Sequence, residues 1–280
     1  MFPVSVMCAV LEVSTSGYYA WLERDPAAAS TPNQPLAAAV TRSYLDSDRT
    51  YGYRKVWQDL QAASVACCQE TVRRVMKRLG FCAQYKRRFV VTTDSNHGYA
   101  VAENVLNRDF FAEAPDRKWV ADITYIPTQE GWLYLAAVLD LFSRKVVGWA
   151  ASERIDEALV TAALERAIRQ RRPGPGLLHH SDRGSQYAAD GYQRVLSNMG
   201  MVCSMSRKGN CWDNAVMERF FGSLKAERVN RRSYPTRAEA KKDLFLYIEW
   251  FYNAGRRHAA LSYQTPNAVD SQYWREYQVA

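Results

Sequence analysis

The feature that most constrains the fold is a change of hydrophobic pattern after Pro115. The segment Trp119 to Pro127 (W-V-A-D-I-T-Y-I-P) is rich in β-branched and aromatic residues and predicts a strand. Leu133 to Leu139 and Lys145 to Ala151 predict two more strands, and the short links between the three indicate antiparallel hairpins. Because helices and further strands alternate after these hairpins, we expect a mixed α/β sheet with helices on both faces.

The alternating region follows from hydrophobic periodicity and from the glycines and prolines that interrupt it. Its predicted elements are helices over Ile155 to Arg171, Tyr187 to Met199, Asn214 to Val229 and Ala238 to Tyr252, and strands over Leu177 to Ser181 and Val202 to Met205. The tail after the last helix is rich in tyrosine and tryptophan.

The first 98 residues predict helices only. Two short helices occupy 1–24, with Ser14 or Ser16 as a candidate N-cap, and the Ala, Ser, Thr and Pro residues of 26–35 indicate a linker. Leu36 to Leu45 predicts a third helix, and 51–81 has a helix-turn-helix pattern. We therefore expect three regions, with bounds 1–35, 36–98 and 99–280.

The charge distribution permits a polyanionic partner. The net charge of +8 divides into +4 for 1–98, −1 for 99–206 and +5 for 207–280. Carboxylates in the centre with basic flanks suit an enzyme of nucleic acids, although a solvated basic surface explains the charge about as well. The second helix of the helix-turn-helix carries candidate DNA-contacting residues on its polar side and beyond its end: Arg73, Arg74, Lys77, Arg78, Lys86, Arg87 and Arg88. The alternative is a small packing domain with a charged exterior.

Several classes of protein are excluded. No apolar run approaches the ~20 residues of a membrane span, and the N-terminus lacks a secretion-signal pattern, so we expect no membrane partner. The six cysteines contain no C-x-x-C pair, which argues for reduced thiols in a cytoplasmic protein and against a zinc knuckle or a disulfide framework.

Three acidic residues stand out by position. Asp122 lies on the first predicted strand, Asp182 follows the strand Leu177 to Ser181, and Glu218 lies in the helix that follows, with 35 residues between Asp182 and Glu218. Carboxylates that converge from strands and a helix can hold two divalent cations for phosphoryl transfer. Taken singly, each acid is a weak signal, because a lone aspartate at a strand end is more often a turn or cap residue.

The surroundings of these acids carry a resemblance that extends over nearly the whole chain. Five collinear motifs contribute to it: V-S-T-S-G-Y-Y-A-W-L (Val13 to Leu22), Y-G-Y-R (Tyr51 to Arg54), the Asp122 strand, the segments around the other two acids (His180 to Tyr187 and Ser206 to Lys225), and W-F-Y-N-A-G-R-R-H-A-A-L (Trp250 to Leu261) with Thr265-Pro266. In these motifs the chain resembles DDE transposases of the retroviral integrase superfamily, and most of all the second-frame product of two-frame bacterial insertion sequences. Glu12 stands where this family more usually has glycine.

The resemblance implies a ribonuclease H-like core with Asp122, Asp182 and Glu218 as the catalytic and metal-binding triad. It implies two Mg²⁺ or Mn²⁺ ions, cleavage at the element's ends to give a 3′-hydroxyl, and strand transfer of that hydroxyl, with a circular intermediate before integration. The implied partners are double-stranded DNA (the terminal inverted repeats and the target), further copies of the chain on that DNA, and the upstream-frame product of the same element. A nucleoid-associated location in bacteria follows.

Residues near the triad are candidates for DNA contact. Lys225 is seven residues past Glu218 and hence on the same helical face, with Gly222 between them leaving space for a backbone to approach. Lys225 resembles the integrase lysine that contacts the element's end, and a solvated lysine is the alternative. Ser206 to Asn214 resembles the mobile active-site loop of integrases, which makes Arg207 and Lys208 candidate phosphate contacts. Asp213 is a candidate N-cap for the catalytic helix.

Histidines and tryptophans give weaker indications. No ligand-spaced partner accompanies His179 and His180, which favours packing or orientation of Asp182 over a zinc site. Trp212, Trp250 and Trp274 could stack on bases, but burial is the commoner role of tryptophan.

Three classes of function stay open at this point. The chain is either a metal-dependent transposase, a nuclease of the same fold that hydrolyses without joining, or a DNA-binding regulator with an inactive core. The complete triad speaks against the regulator.

Overall fold

The structure is a computed structural model that describes residues 3–23, 34–84, 101–208 and 210–279. The chain divides into two compact units, Met1–Ala83 and Gln84–Ala280. The candidate DNA contacts Lys86, Arg87 and Arg88, and most of the predicted linker 26–35, lie outside the described residues.

The first unit contains helices where the sequence predicts them. They are α1 (Val4–Val10), α2 (Thr15–Leu22), α3 (Gln34–Asp46), α4 (Tyr53–Ala62) and α5 (Gln69–Arg78). Ser14 is the N-cap of α2, and its hydroxyl accepts a hydrogen bond from the Gly17 amide at 3.0 Å. Glu12, in the turn before α2, has φ +51°, a left-handed conformation that glycine adopts without strain.

Helices α3, α4 and α5 pack through the apolar faces that their periodicity predicts. Val56 and Leu60 of α4 are buried, as are Val72, Val75 and Met76 of α5. Polar contacts fix the connections: the Ser43 hydroxyl donates to Asp59 at 2.7 Å, and the Trp57 indole N–H donates to the Cys67 carbonyl at 2.9 Å across the α4–α5 turn. These contacts define a small helical unit with a helix-turn-helix.

The second unit is built on a five-stranded mixed sheet. Its strands are β1 (Lys118–Thr128), β2 (Gly131–Asp140), β3 (Val146–Ser152), β4 (Leu178–Ser181) and β5 (Val202–Met205). The strand order is β3-β2-β1-β4-β5, with antiparallel pairing within β1–β3 and parallel pairing of β4 with β1 and of β5 with β4. The predicted hairpins and the mixed sheet are confirmed.

Helices cover both faces of the sheet. They are α6 (Glu157–Arg171), α7 (Ser185–Ala188), α8 (Asp190–Asn198), α9 (Ala215–Glu227), α10 (Arg237–Phe245), the π-helical segment Leu246–Gly255, and α11 (Pro266–Val279). Val120 packs on one face with Phe220 of α9, whereas its neighbour Ala121 packs on the other with Leu164 of α6. On the α6 face the helix lies very close to β3 at Gly148. A Cβ at this position would come within 2.6 Å of the Ala167 nitrogen.

Two predicted helices differ in detail. The prediction of one helix over Tyr187 to Met199 is wrong, because Ala189 is extended (φ −64°, ψ 142°) and separates α7 from α8. The Gln193 side chain donates to the Tyr187 carbonyl at 2.6 Å and so satisfies an acceptor at the break. The helix predicted over Ala238 to Tyr252 begins as α10 and continues as the π-helical segment.

Candidate active site

Two of the three singled-out carboxylates meet across neighbouring strands. Lys118 of β1 lies opposite Leu178 of β4, and Val120 lies opposite His180. Continued by two residues, this parallel register brings Asp182, just past the end of β4, opposite Asp122. Neighbouring strands are about 4.8 Å apart, so side chains at one register position on one face are neighbours. The Asp182 Oδ1 also accepts a hydrogen bond from the Gly184 amide at 2.9 Å.

Helix α9 covers the same face of the sheet. Ala137, the β2 partner of Asp122, packs in the cluster that contains Met217 and Phe220 of α9. The other side of α9 is more open: Glu218 is exposed, and a Cβ on Gly222 would meet no atom within 4 Å. The helix therefore offers an accessible stripe beside the two aspartates.

The ionisation of Asp122 shows that the charged groups influence one another. Burial and then the Asp182 carboxylate raise the pKa of Asp122 well above its usual range, and Glu218 raises it further. Lys225 acts in the opposite direction and lowers the pKa of Asp122. Burial in turn lowers the pKa of Lys225, whose Nζ lies 4.3 Å from the centre of the Tyr125 ring. All four groups thus act in one electrostatic neighbourhood.

This neighbourhood suits a divalent cation by its donor chemistry. Carboxylate oxygens are the ligands that Mg²⁺ and Mn²⁺ prefer, and a cation would relieve the repulsion that raises the pKa of Asp122. Within the described ranges, no three histidine, cysteine or acidic side chains lie close enough together to form a closed metal-binding cluster. The strand carboxylates, with Glu218 on the neighbouring helix, would be the residues to hold a metal.

The segment before α9 is anchored through Asp213. This side chain is fully buried and accepts hydrogen bonds from the backbone and guanidinium of Arg207, from Arg108 Nε at 2.8 Å and from Asn104 Nδ2 at 2.9 Å. The prediction that Asp213 caps α9 is wrong, because its carboxylate is committed to these donors and the N-cap position is held by Asn214. Arg207, a predicted phosphate contact, is paired with Asp213, while Lys208 is exposed.

Asn214 links the same segment to β1, the strand that carries Asp122. Its Nδ2 donates to the carbonyl of Ala121, the residue before Asp122, at 3.0 Å. Sequence reasoning missed Asn104, Arg108 and Asn214 as parts of the site. The first two lie more than 100 residues from Asp213, and no local pattern connects them to it.

The histidines before Asp182 have structural partners. His180 lies between two hydroxyls, Ser204 Oγ at 2.9 Å and Ser206 Oγ at 3.1 Å, and burial lowers its pKa to about 4. His179 lies on the other face, where its Nε2 is 3.0 Å from the Tyr192 hydroxyl. Both imidazoles are therefore neutral near pH 7, and their packing role agrees with the prediction.

The three singled-out tryptophans are more exposed than the expectation of burial allows. The exposed fractions are 68% for Trp212, 67% for Trp250 and 38% for Trp274. That expectation is wrong for Trp212 and Trp250, because the residues that follow them, rather than the indoles, enter the core.

The candidate DNA contacts of α5 lie on its exposed side. Arg73, Arg74, Lys77 and Arg78, which we call the α5 basic face, are all exposed. Arg73 forms two 2.7 Å hydrogen bonds with Glu70, and Arg74 adds one at 3.1 Å, which together lower the pKa of Glu70 to about 2. Such exposed pairs exchange readily with water and with phosphate groups.

Comparisons with known proteins find matches in both units of the chain. Models described as integrase core domains match residues 112–211 and 199–266, and an HTH-like domain matches 32–89. The chain is 42% identical to an uncharacterized 31 kDa protein of insertion element IS600 from Shigella sonnei, over 95% of this chain and 98% of that protein. It is 38% identical to the transposase InsF for insertion sequence IS3A from Escherichia coli (strain K12), over 92% and 90%.

The chain can also be aligned, at low similarity, with solved structures of viral proteins. One is a simian T-cell lymphotropic virus intasome in complex with a PP2A regulatory subunit, with a TM-score of 0.46 and 15% identity over 81% of this chain and 73% of that one. Another is the HTLV-2 integrase catalytic core domain in complex with magnesium, with a TM-score of 0.44 and 16% identity over 57% and 99%.

The integrase core matches and the mixed sheet define an enzyme with a ribonuclease H-like core, a polynucleotidyl transferase of the DDE type. The core of this class uses a divalent metal, and the helix-turn-helix domain indicates DNA binding. The near full-length relatives specify the family further: the chain belongs to the IS3 family of insertion-sequence transposases. None of the helices in the described part of the chain is long and apolar enough to cross a membrane.

Proposed function

We propose that Asp122, Asp182 and Glu218 form the catalytic centre of a transposase that cleaves DNA at the ends of its element and joins the resulting 3′-hydroxyl to target DNA. The observation that supports this most is the β1–β4 register, which brings Asp182 opposite Asp122 on the sheet face that α9 covers. The raised pKa of Asp122 adds to it, because charges that repel one another at an accessible site need a cation.

Each residue has a role in this proposal. Asp122 and Asp182 would hold the metal ions from the rigid sheet, and Glu218 would complete the ligand set from α9. Two bound Mg²⁺ or Mn²⁺ ions would supply activation of the attacking oxygen and stabilisation of the leaving oxygen. Lys225, whose ammonium influences Asp122, would hold the phosphate of the element's end beside the carboxylates.

DNA binding extends beyond the centre in this proposal. Lys208 and the guanidinium of Arg207 would contact phosphates near the reacting strand, and the α5 basic face, with Lys86, Arg87 and Arg88, would contact the terminal inverted repeats. Phosphate contacts of this kind dominate affinity for DNA. We also propose that the active species is an oligomer of this chain on bacterial chromosomal DNA, assembled with the upstream-frame product of the element.

The test uses duplexes that carry the DNA ends flanking this chain's own coding region, with Mg²⁺ or Mn²⁺. Asp122→Asn, Asp182→Asn and Glu218→Gln should each abolish cleavage and joining while DNA binding survives. The losses should not add in combination, because the three side chains act as a unit. Glu165→Gln, which removes an exposed carboxylate of α6, is the matched control and should react like the parent.

A second readout is independent of activity. Mg²⁺ should raise the melting temperature of the parent, because a ligand that binds only the folded state stabilises it. The variant that lacks all three carboxylates should show no such rise. Near-normal joining by any single variant would mean that its residue is misassigned, and hydrolysis without joined products would favour a nuclease.

A further inference from the structure

An exposed tryptophan precedes the candidate catalytic helix. Trp212 belongs to the short 3₁₀ turn Cys211–Asn214 that leads into α9, and 68% of it is exposed. Among the residues that the structure describes, no aromatic ring or cationic group stacks on its indole. Exposure of this extent leaves most of the ring surface available to a ligand.

The exposure follows from the way that the turn is anchored. The two residues after Trp212 enter the protein: Asp213 is fully buried with Arg207 and Arg108, and Asn214 is 5% exposed with its amide on the Ala121 carbonyl. In a 3₁₀ turn, successive side chains point about 120° apart. Inward anchoring of two successive residues therefore leaves the preceding side chain on the outside.

The segment that carries the indole has side chains of the kind that bind a nucleotide. Lys208, four residues upstream, is exposed and cationic, and Glu218 lies six residues downstream. An aromatic face beside a positive charge is the combination with which proteins bind bases of single-stranded nucleic acid. A base inside a duplex has both faces covered by its neighbours, so only a terminal or unpaired base can stack on a side chain.

We propose that Trp212 stacks on the nucleobase at the end of the DNA strand that this site processes. The proposal rests on the function proposed above, because that function brings a DNA end to the carboxylates. Stacking would hold the terminal nucleotide against the anchored turn and so fix the position of its phosphate relative to Asp122. The fixed turn favours this role, since a pre-organised ring loses little entropy on binding.

The test measures stacking without chemistry. The parent is mixed with a duplex whose 3′-terminal base is 2-aminopurine, in Ca²⁺, and the fluorescence of this base is recorded. Stacking on an indole should quench it, and Trp212→Ala should remove the quenching, whereas Trp212→Phe should retain part of it. The affinity of Trp212→Ala for a frayed DNA end should be roughly 5- to 150-fold lower than that of the parent.

A duplex with an abasic terminal nucleotide isolates the base contact. The parent should bind it as weakly as Trp212→Ala binds normal DNA, and the variant should lose nothing more on it. Trp250→Ala is the matched control, because it removes an equally exposed indole from the π-helical segment. Equal losses for Trp250→Ala and Trp212→Ala, or an unchanged penalty of Trp212→Ala on abasic DNA, would overturn the proposal.

The outcome separates this proposal from the proposed function. Asp122→Asn should still quench 2-aminopurine while it fails to join DNA. Absence of quenching by a parent that joins DNA normally would refute stacking and leave the catalytic proposal intact. If the parent quenches but neither cleaves nor joins DNA in Mg²⁺ or Mn²⁺, the catalytic proposal is refuted. If the protein self-associates with concentration, and Trp212→Ala abolishes this without changing DNA affinity, Trp212 contacts a second copy instead of DNA.

Discussion

Replacement of Asp213 by asparagine tests how the segment before α9 is fixed. The Asp213 Oδ2 accepts from two neutral donors, the Arg207 backbone N–H and Asn104 Nδ2, and from the charged Arg207 Nε, all at 2.9 Å. Its Oδ1 accepts from Arg108 Nε at 2.8 Å and Arg207 Nη2 at 2.7 Å. In Asp213→Asn, one oxygen can still accept from the two neutral donors and from Arg207 Nε, but an NH₂ group then faces Arg108 Nε and Arg207 Nη2.

The size of the expected destabilisation follows from the two hydrogen bonds that neutral donors make to Asp213. A buried hydrogen bond to a charged group contributes about 1.5–3 kcal/mol and a bond between neutral groups about 0.5–1.5 kcal/mol, so loss of the charge weakens each of the two by about 1–1.5 kcal/mol. The guanidinium groups of Arg108 and Arg207 are nearly half exposed and can be solvated by water in the variant, so loss of their ion pairs adds little to the destabilisation. Local opening of the segment should become easier by about 2–3 kcal/mol.

Trypsin digestion of the folded protein measures this opening, because the segment contains Arg207 and Lys208. Where opening is fast compared with cleavage, the cleavage rate follows the open population. Asp213→Asn should therefore be cut after these residues about 30 to 150 times faster than the parent. Asp109→Asn, which removes an exposed carboxylate that pairs with Lys118, is the control and should be cut like the parent.

The pH dependence of stability is an independent test of the contribution of the Asp213 carboxylate. Hydrogen bonds from Arg207 hold the pKa of Asp213 well below its usual range. A carboxyl with a lower pKa in the folded state stabilises that state above its unfolded pKa of about 3.9, and the contribution is lost as the pH falls. In urea unfolding, the free energy of unfolding of the parent should exceed that of Asp213→Asn at neutral pH, and this difference should shrink progressively below about pH 4. Equal trypsin rates at neutral pH, or an advantage that grows in acid, would refute the reasoning.

Two further predictions concern DNA. Lys225→Ala should lower the rate of joining at saturating DNA more than it lowers non-specific DNA binding. Lys225→Arg should restore only part of the joining rate, because a planar guanidinium does not replace a compact ammonium. If Lys225→Ala joins DNA as fast as the parent, Lys225 is only a solvated lysine. Reversal of the α5 basic face to glutamate should weaken DNA binding and flatten its dependence on salt, because each phosphate contact releases counterions; an unchanged salt slope would mean that this face is only solvated.

Local patterns in the sequence predicted the elements of the catalytic unit well. The alternation of β-branched residues around Asp122 gave a strand on which one face is buried under α9 and the other under α6. Asp182 was placed at a strand end by the apolar run Leu177 to Ser181, and the parallel register then aligns it with Asp122. Such features depend on neighbours within a few residues, and these are visible in a single sequence.

The features that sequence reasoning missed depend on distant partners. Asp213 lies directly before a helix and has the pattern of an N-cap. It has a different role because Asn104 and Arg108, which are distant in the sequence, donate hydrogen bonds to its carboxylate. Tertiary contacts overrode local propensity at this position.

The break at Ala189 was missed for a local reason. The turn-forming pair Asp190-Gly191 follows it directly, and the Gln193 amide donates to the Tyr187 carbonyl across the break.

The partners of the acidic side chains separate the catalytic candidate from carboxylates that support the fold. Glu227 is paired with Arg256, and Asp270 is paired with Arg171 and Lys145. Asp140 has a raised pKa like Asp122, but it is fully buried and accepts three hydrogen bonds, from the Asp116 and Ser143 backbones and the Ser143 hydroxyl.

Asp122 differs from both kinds. Within the described residues its carboxylate accepts only the N–H of the adjacent Ile123, and burial followed by the Asp182 and Glu218 carboxylates raises its pKa against the opposing effect of Lys225. The structural carboxylates have several donors or a paired cation, whereas Asp122 has one backbone donor and lies under a helix whose start is anchored to the same strand. Burial and repulsion of that kind disfavour the charged carboxylate unless a cation binds, and this is what the proposed metal-binding role of Asp122 would explain.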